Sequence, residues 1–127
     1  MRATLWMLTV LVIVMAALAG ATTWLCRDSA QTFGQEAEQL IALWEKRDWQ
    51  GLEEYTRQLR KRWEEREKSL QLVIRHQETD DVSEALDKLE AGITTQDNAL
   101  CQWAIREFRE ACRHLYHRDA FTLTNII

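Results

Sequence analysis

The sequence has no proline, four glycines and three cysteines among its 127 residues. Sandwiches and barrels of short strands need many turns built from glycine and proline, and flexible linkers are rich in proline or serine, so this composition argues against both. An odd number of cysteines does not make a disulfide framework. Cys101 and Cys112 would lie about 16 Å apart on one helix, too far for a bridge, and are predicted to be core residues. Cys26 stays a candidate for pairing between chains.

Charged residues are missing from Ala3 to Cys26, and the rest of the chain is acidic. Beyond Cys26 stand 15 basic and 20 acidic residues, which gives a formal net charge of −5. Proteins that bind nucleic acid usually carry a basic patch or stripe. The charge balance therefore argues against a nucleic-acid partner.

The uncharged stretch 3–26 predicts a membrane span. As a helix it would be about 36 Å long, against a hydrocarbon core of about 30 Å. The hydrophobic core of a signal peptide is shorter, about 7–15 residues, but small residues at Ala17, Ala19 and Ala21 leave a cleaved signal open as an alternative. The sequence predicts a transmembrane anchor over 1–27, in contact with the bilayer through 3–26, and a second domain over 28–127. Trp6 and Trp24 are predicted to mark the two ends of the anchor, because indole rings favour the membrane interface.

The charges beside this stretch predict its orientation. Arg2 and the N-terminal amine lie on the short side, whereas Asp28 offsets Arg27 on the long side. Positive flanks stay in the cytoplasm. We therefore expect a single-pass protein of the cell membrane with its N-terminus inside and 28–127 outside the cytoplasm.

Helical periodicity continues through the rest of the chain in four segments. The first is expected to join the span loosely at Thr32 and Gly34. The second runs from about Trp49 to His76, after a turn that offers Asp48 as N-cap. Thr79, Asp80 and Asp81 are the N-cap candidates for the third, and the turn 94–98, with Asp97, precedes the fourth.

These segments predict an all-α fold, an N-terminal transmembrane helix followed by a small antiparallel bundle of about four helices. An offset of 49 residues aligns the turn at Asp48 with the turn at Asp97, and we interpret this as convergence of two helical hairpins. The predicted core consists of Leu40, Ile41, Trp44, Leu52, Leu59, Trp63, Leu70, Val73, Leu86, Leu89, Ile93, Ala104, Phe108 and Leu115.

Motifs for catalysis or metal binding are missing from the sequence. It holds no Gly-rich phosphate loop, no serine motif and no signature of paired carboxylates. Cys112 and His114, two residues apart, would point away from each other on a helix. His114, His117 and Asp119 could share a metal, but zinc usually requires four ligands at defined spacing. We predict no catalytic residue, no metal site, no cofactor and no enzymatic activity.

Two groups of residues are candidates for function. The first is an interaction surface on the fourth helix. Trp103 stands one position off the apolar stripe of Ala104 and Phe108, so it is either exposed or packed at the edge of the core. Exposed Trp and Tyr are typical interface anchors. The second group, His76, Glu78 and Asp80, could titrate near neutral pH. The complete candidate surface is Trp103, Tyr116, Phe121, Ile126 and Ile127.

The layout of the whole chain resembles a known family. The chain contains, in order, a membrane helix, a charged helix with tryptophan, His76-x-Glu78, a helix started by Asp97 and a closing Asn125-Ile126. This layout is similar to domain-of-unknown-function family 4363. The resemblance covers nearly the whole chain. It implies a short single-anchor protein of mostly spore-forming Gram-positive bacteria, without an established activity, and it favours a membrane partner.

Residues and resemblance together lead to two hypotheses. The first is a non-enzymatic, membrane-anchored helical interaction module, accessory to another membrane protein or paired with a second copy. The alternative is a sensor of a small ligand or of pH, built around His76.

Overall fold

The computed structural model describes the backbone of residues 1–126 and the side chains of residues 1–116. It contains four helices, α1 (Arg2–Glu45), α2 (Trp49–Leu70), α3 (His76–Thr94) and α4 (Asn98–Ile126). Helix α4 packs against α1 and α3, and α2 packs against the same two helices from the other side. The all-α, antiparallel bundle predicted from the sequence is confirmed.

Helix α1 has two halves with different surroundings. All of residues 1–21 are exposed, and the buried face begins only at Cys26. The loose join predicted at Thr32 and Gly34 is wrong, because the helix continues without a break for 44 residues. Phe33 and Ala37 are both buried in the core, so packing on either side of Gly34 offsets the roughly 1 kcal/mol that glycine costs inside a helix.

Trp63 lies at the centre of the core. Its side chain is fully buried, and its ring meets that of Phe33 edge to face, with centroids 5.3 Å apart. Its indole N–H donates to Ser83 Oγ at 3.0 Å, and this hydroxyl donates to the Glu67 carboxylate at 2.6 Å. Ile41 and Trp44 are only partly buried at the edge. The other predicted core residues, apart from Val73, are buried: Leu40, Leu52, Leu59, Trp63, Leu70, Leu86, Leu89, Ile93, Ala104, Phe108 and Leu115.

The connection between α2 and α3 differs from its prediction. Helix α2 ends at Leu70 instead of His76, and Val73 is 39% exposed instead of in the core. The carbonyl of Leu70 accepts from the N–H groups of both Val73 and Ile74, which closes the helix into a turn.

The predicted N-caps of α3 are also wrong. The cap is Arg75, in an extended conformation, so the helix begins at His76. Thr79 lies one turn inside the helix and is buried there, where its hydroxyl donates to the carbonyl of His76 at 2.9 Å. Asp80 and Asp81 follow it within α3.

The other two turns are capped by aspartates, as predicted. Asp48 Oδ1 accepts from the N–H of Gly51 at 2.9 Å, and Asp97 Oδ1 accepts from the N–H of Leu100 at 3.1 Å. Each carboxylate satisfies an N–H group at the start of a helix that would otherwise lack a partner.

Removing either cap should destabilise the bundle. For Asp48→Ala we expect the free energy of unfolding to fall by about 0.5–2 kcal/mol, and for Asp48→Asn by much less, since asparagine caps nearly as well. The measurement is a thermal melt of the full chain in detergent micelles, followed by circular dichroism. In a domain of this size 1 kcal/mol shifts Tm by about 4–8 °C. Equal shifts for the two variants would show that the cap is not the cause.

All three cysteines are buried inside the bundle, and none of them forms a disulfide within the described chain. Burial raises the pKa of the Cys112 thiol far above its ordinary value. Burial also raises the pKa of Cys101, and the charge of Asp97 adds to this effect. Cys26 is fully buried in the single chain, so pairing between chains through Cys26 would require the bundle to open.

We therefore expect the native thiols to resist alkylation, because the thiolate is the reactive form and each sulfur is shielded. Maleimide added to the full chain in micelles should modify them only after denaturation by guanidinium. Gln96→Cys, at an exposed turn, is the matched control and should react at once. Rapid modification of the wild-type protein, identified by peptide mass, would contradict the buried positions.

Candidate functional site

Trp103 is the largest exposed side chain of the bundle surface described. The indole is 60% exposed on α4, and the Lys88 ammonium of α3 lies 5.5 Å from its ring centroid. Lys88 also donates to the Glu107 carboxylate at 2.8 Å, and this hydrogen bond and the charge of Glu107 raise its pKa. Of the two positions that the sequence left open for Trp103, the exposed one is correct, and a cation lies beside the ring.

Tyr116 lies on a different side of α4 from Trp103. Thirteen residues along a helix amount to about 20 Å and to a rotation of about 140°. Trp103 is next to α3, whereas Tyr116 is partly buried beside α1, where it lines a groove with Gln31 and Gly34. The two aromatic residues of the candidate surface therefore do not form one patch. The remaining members, Phe121, Ile126 and Ile127, lie outside the described side chains.

His76, Glu78 and Asp80 are in the first turns of α3, but they do not come together. His76 and Asp80 are exposed, while Glu78 is only 7% exposed. Residues two apart on a helix face different ways, so the spacing turns Glu78 into the bundle. The structure brings His76 and Asp80 to the same outer face and separates Glu78 from them.

A groove of about 580 Å³ between α1 and α4 was not predicted from the sequence. Gly34 contributes to its width, since a Cβ there would meet no atom within 4 Å. Arg109 forms an ion pair with Glu38, and Arg113 lies 3.4 Å from Glu110. The only sequence signal was the spacing of polar residues at Gln31, Gln35, Arg109 and Arg113, which also fits a solvated helix face. Two of its three arginines, Arg109 and Arg113, are thus engaged with carboxylates of the chain itself.

A second groove, of about 390 Å³, lies between α2 and α3. At its edge Arg60 forms ion pairs with Asp87 and Glu90. Burial by itself lowers the pKa of Arg60, but the hydrogen bond with Glu90 and the two negative charges outweigh burial and raise it. Thr56 also lines this groove, and its buried hydroxyl has no hydrogen-bond partner within the described chain. The ion pairs of Arg60 with Asp87 and Glu90 therefore join α2 to α3.

Metal ligands do not cluster in the described part of the chain. Among residues 1–116, His, Cys, Asp and Glu side chains form no group of three that could hold an ion. The candidate set proposed from the sequence includes His117 and Asp119, whose side chains lie outside the described residues.

The apolar half of α1 has the dimensions of a membrane span. It is the one helix of the described chain that is long and apolar enough to cross a bilayer. Trp6 and Trp24, which are 71% and 64% exposed, stand about 27 Å apart along it, close to the hydrocarbon thickness of about 30 Å. The first charged residues after it, Arg27 and Asp28, already belong to the bundle, where Asp28 accepts from Arg66 at 2.8 Å.

Comparison with known proteins identifies a family and gives no activity. A family model described as "Domain of unknown function (DUF4363)" matches residues 24–126, so the chain belongs to this family, as the sequence predicted. No curated protein and no solved structure matches the chain. The matched range begins at Trp24, beside the start of the buried face at Cys26.

Proposed function

We propose that this member of the DUF4363 family is a non-enzymatic interaction module. It is anchored in the cell membrane by residues 3–26, it holds its bundle outside the cytoplasm, and it binds a second membrane protein through the surface around Trp103. One observation carries the proposal: a large indole stays 60% exposed on a bundle that is joined by an unbroken helix to an exposed apolar segment.

The packing of α1 supports the anchor. The buried face starts at Cys26 on the same unbroken helix as the apolar stretch, and that stretch is longer than the hydrophobic core of a signal peptide. After cleavage at Ala19 or Ala21, the remaining helix would begin only a few residues before that buried face. A retained span has the further effect that the stiff helix fixes the bundle close to the membrane surface.

The chemistry of the surface favours binding over catalysis. Trp103 gives a large, rigid contact area, and aromatic residues and arginine are the side chains that most often dominate protein interfaces. The arginines that line the two grooves and form ion pairs, such as Arg60 and Arg109, are engaged with carboxylates of the same chain. Burial raises the pKa of Cys101 and Cys112, which disfavours the reactive thiolate. These features support a surface that docks a partner.

The anchor and its orientation are tested by labelling living cells. Gln96→Cys places a thiol at the exposed turn before α4, and Ala3→Cys places one at the other end of the chain. A maleimide that does not cross membranes should modify Gln96→Cys in intact cells and Ala3→Cys only after lysis. The opposite pattern overturns the orientation. A shorter chain that is released from membranes by alkaline carbonate overturns the retained anchor.

The partner is tested by photo-crosslinking from positions beside the indole. A photoreactive amino acid replaces Gln102 in the full chain, once with Trp103 present and once with Trp103→Ala; Gln58, exposed on α2, is the control position. We expect an adduct with a membrane protein from position 102 that disappears with Trp103→Ala and is missing from position 58. An adduct at twice the 15.0 kDa mass of the chain would identify a second copy as the partner. Adducts that do not depend on Trp103 would overturn the role of this surface.

A further inference from the structure

The turn between α2 and α3 exposes two adjacent apolar side chains on the surface of the bundle. Leu72 is 85% exposed and Val73 is 39% exposed, while the next residue, Ile74, packs against the core. Ile74 thereby fixes the turn, and its two predecessors point away from the protein. A charged or polar residue would serve a solvated turn equally well, so the adjacent apolar pair at this turn is a candidate for a contact outside the bundle.

The register between α1 and α2 gives the position of this turn along the axis of α1. Asp28 pairs with Arg66 at 2.8 Å, and Glu36 pairs with Arg62 at 2.7 Å, so α2 runs back toward the apolar half of α1. Leu70 lies one helical turn beyond Arg66, about 6 Å closer to that half. The same distance separates Asp28 from Trp24. Counted in the same way from the pair of Glu36 and Arg62, Leu70 lies level with Asp28, so the turn at residues 71–75 lies beside the segment from Trp24 to Asp28, where the apolar stretch ends.

The backbone of the turn is suited to an environment with little water. The N–H groups of Gln71, Leu72, Val73 and Ile74 all donate to carbonyl groups of residues 67–70. Unpaired N–H groups near lipid are costly, and here these four are paired within the turn. The exposed cations Lys68 and Arg75 flank it on both sides, where their long side chains can reach phosphate groups of lipids.

From this geometry we propose that the α2–α3 turn is a second membrane contact. Leu72 and Val73 insert into the interfacial layer of the bilayer beside Trp24, with Lys68 and Arg75 at the level of the headgroups. The lipid surface is the occupant, because the apolar pair continues the apolar surface of α1 at the same height. The inference depends on the proposed span. It adds that the bundle touches the membrane at two places, which restricts its tilt and sets the direction in which Trp103 faces.

The experiment measures the depth of spin labels on the full chain in vesicles of phosphatidylcholine and phosphatidylglycerol. Nitroxides are attached to single cysteines at Val12 in the span, at Leu72, at Ser69 and at Gln96; the buried native cysteines are left in place and an unsubstituted chain reports their background. Depth follows from the ratio of collisions with oxygen, which enters lipid, to collisions with a nickel complex, which stays in water. The label at Ser69 leaves Leu72 and Val73 unchanged.

We expect oxygen collisions to dominate at positions 12 and 72, an intermediate ratio at 69, and nickel collisions to dominate at 96. Replacing Leu72 and Val73 with aspartate should shift the ratio at position 69 toward that at 96. If position 12 is deep but 72 and 69 are as wet as 96, the second contact is overturned while the span stands. If position 12 is also wet, the span itself fails. A ratio at 69 that ignores the two aspartates would likewise overturn the role of this turn.

Discussion

Replacing Trp63 with alanine is expected to lower the free energy of unfolding by about 3–5 kcal/mol. The side chain is fully buried and touches α1 through the ring of Phe33, and α3 through the hydrogen bond to Ser83. Its removal therefore leaves a cavity between three helices and leaves the Ser83 hydroxyl without its indole donor. Natural domains are stable by only about 5–15 kcal/mol, so this variant should be close to unfolding at ordinary temperature.

Trp103→Ala is the matched control for Trp63→Ala. It removes the same side chain from a site that is 60% exposed, where we expect a change within about 0.5 kcal/mol. Ser83→Ala removes the hydroxyl partner alone and should cost about 1 kcal/mol. Thermal melts of the full chain in micelles, followed by circular dichroism, measure all three. Similar losses for Trp63→Ala and Trp103→Ala would mean that the bundle does not pack around Trp63.

The contrast between these tryptophans shows how far the sequence determines the fold. Trp63 continues the stripe of Leu52 and Leu59, so its burial follows from periodicity alone. Trp103 stands one position off its stripe, and what decides its exposure is the neighbour that it meets across the helix interface. That neighbour is Lys88 on α3, and a single sequence does not say which residues of two helices face each other.

The end of α2 was missed for a related reason. Val73 lies at the right spacing to extend the stripe, and no glycine or proline interrupts the helix before His76. The helix ends because the Leu70 carbonyl closes a turn that returns Ile74 to the core, which is a tertiary effect. In the same way, the candidate surface on α4 divides because α1 and α3 flank opposite sides of that helix, and periodicity does not specify which side each helix takes.

The two hairpins at an offset of 49 residues share more than their aspartates. Arg47 and Gln96 both adopt a positive φ, of 56° and 50°. The next residues, Asp48 and Asp97, donate their N–H groups to carbonyls five positions earlier, those of Leu43 and Gly92. The same local chain geometry is thus built twice from different sequences. The hairpins differ at the residue that supplies this carbonyl, which is Leu43 in the first and Gly92 in the second.

Gly92 is expected to be a position in the bundle where one added methyl group destabilises the packing of α3 against α4. A Cβ there would lie 2.8 Å from Cys101 Sγ and 3.1 Å from the backbone nitrogen of Cys101. Cys101 is fully buried, so the sulfur has little room to move, and the nitrogen belongs to the first turn of α4. Overpacking of this kind typically costs about 1–3 kcal/mol, which is the loss expected for Gly92→Ala.

Gly34→Ala makes the same chemical change and is expected to change the stability in the opposite direction. It lies within α1 with no atom within 4 Å of its added Cβ, so it should stabilise the bundle by about 0.4–1 kcal/mol through the lower entropy of the unfolded chain. Tm measured on both variants in the same micelles should therefore fall for Gly92→Ala and rise for Gly34→Ala. Cys101→Ala added to Gly92→Ala removes the sulfur contact and keeps the backbone contact, so it should restore only part of the loss. A rise in Tm for both glycine variants would mean that α3 and α4 do not approach each other closely at Gly92.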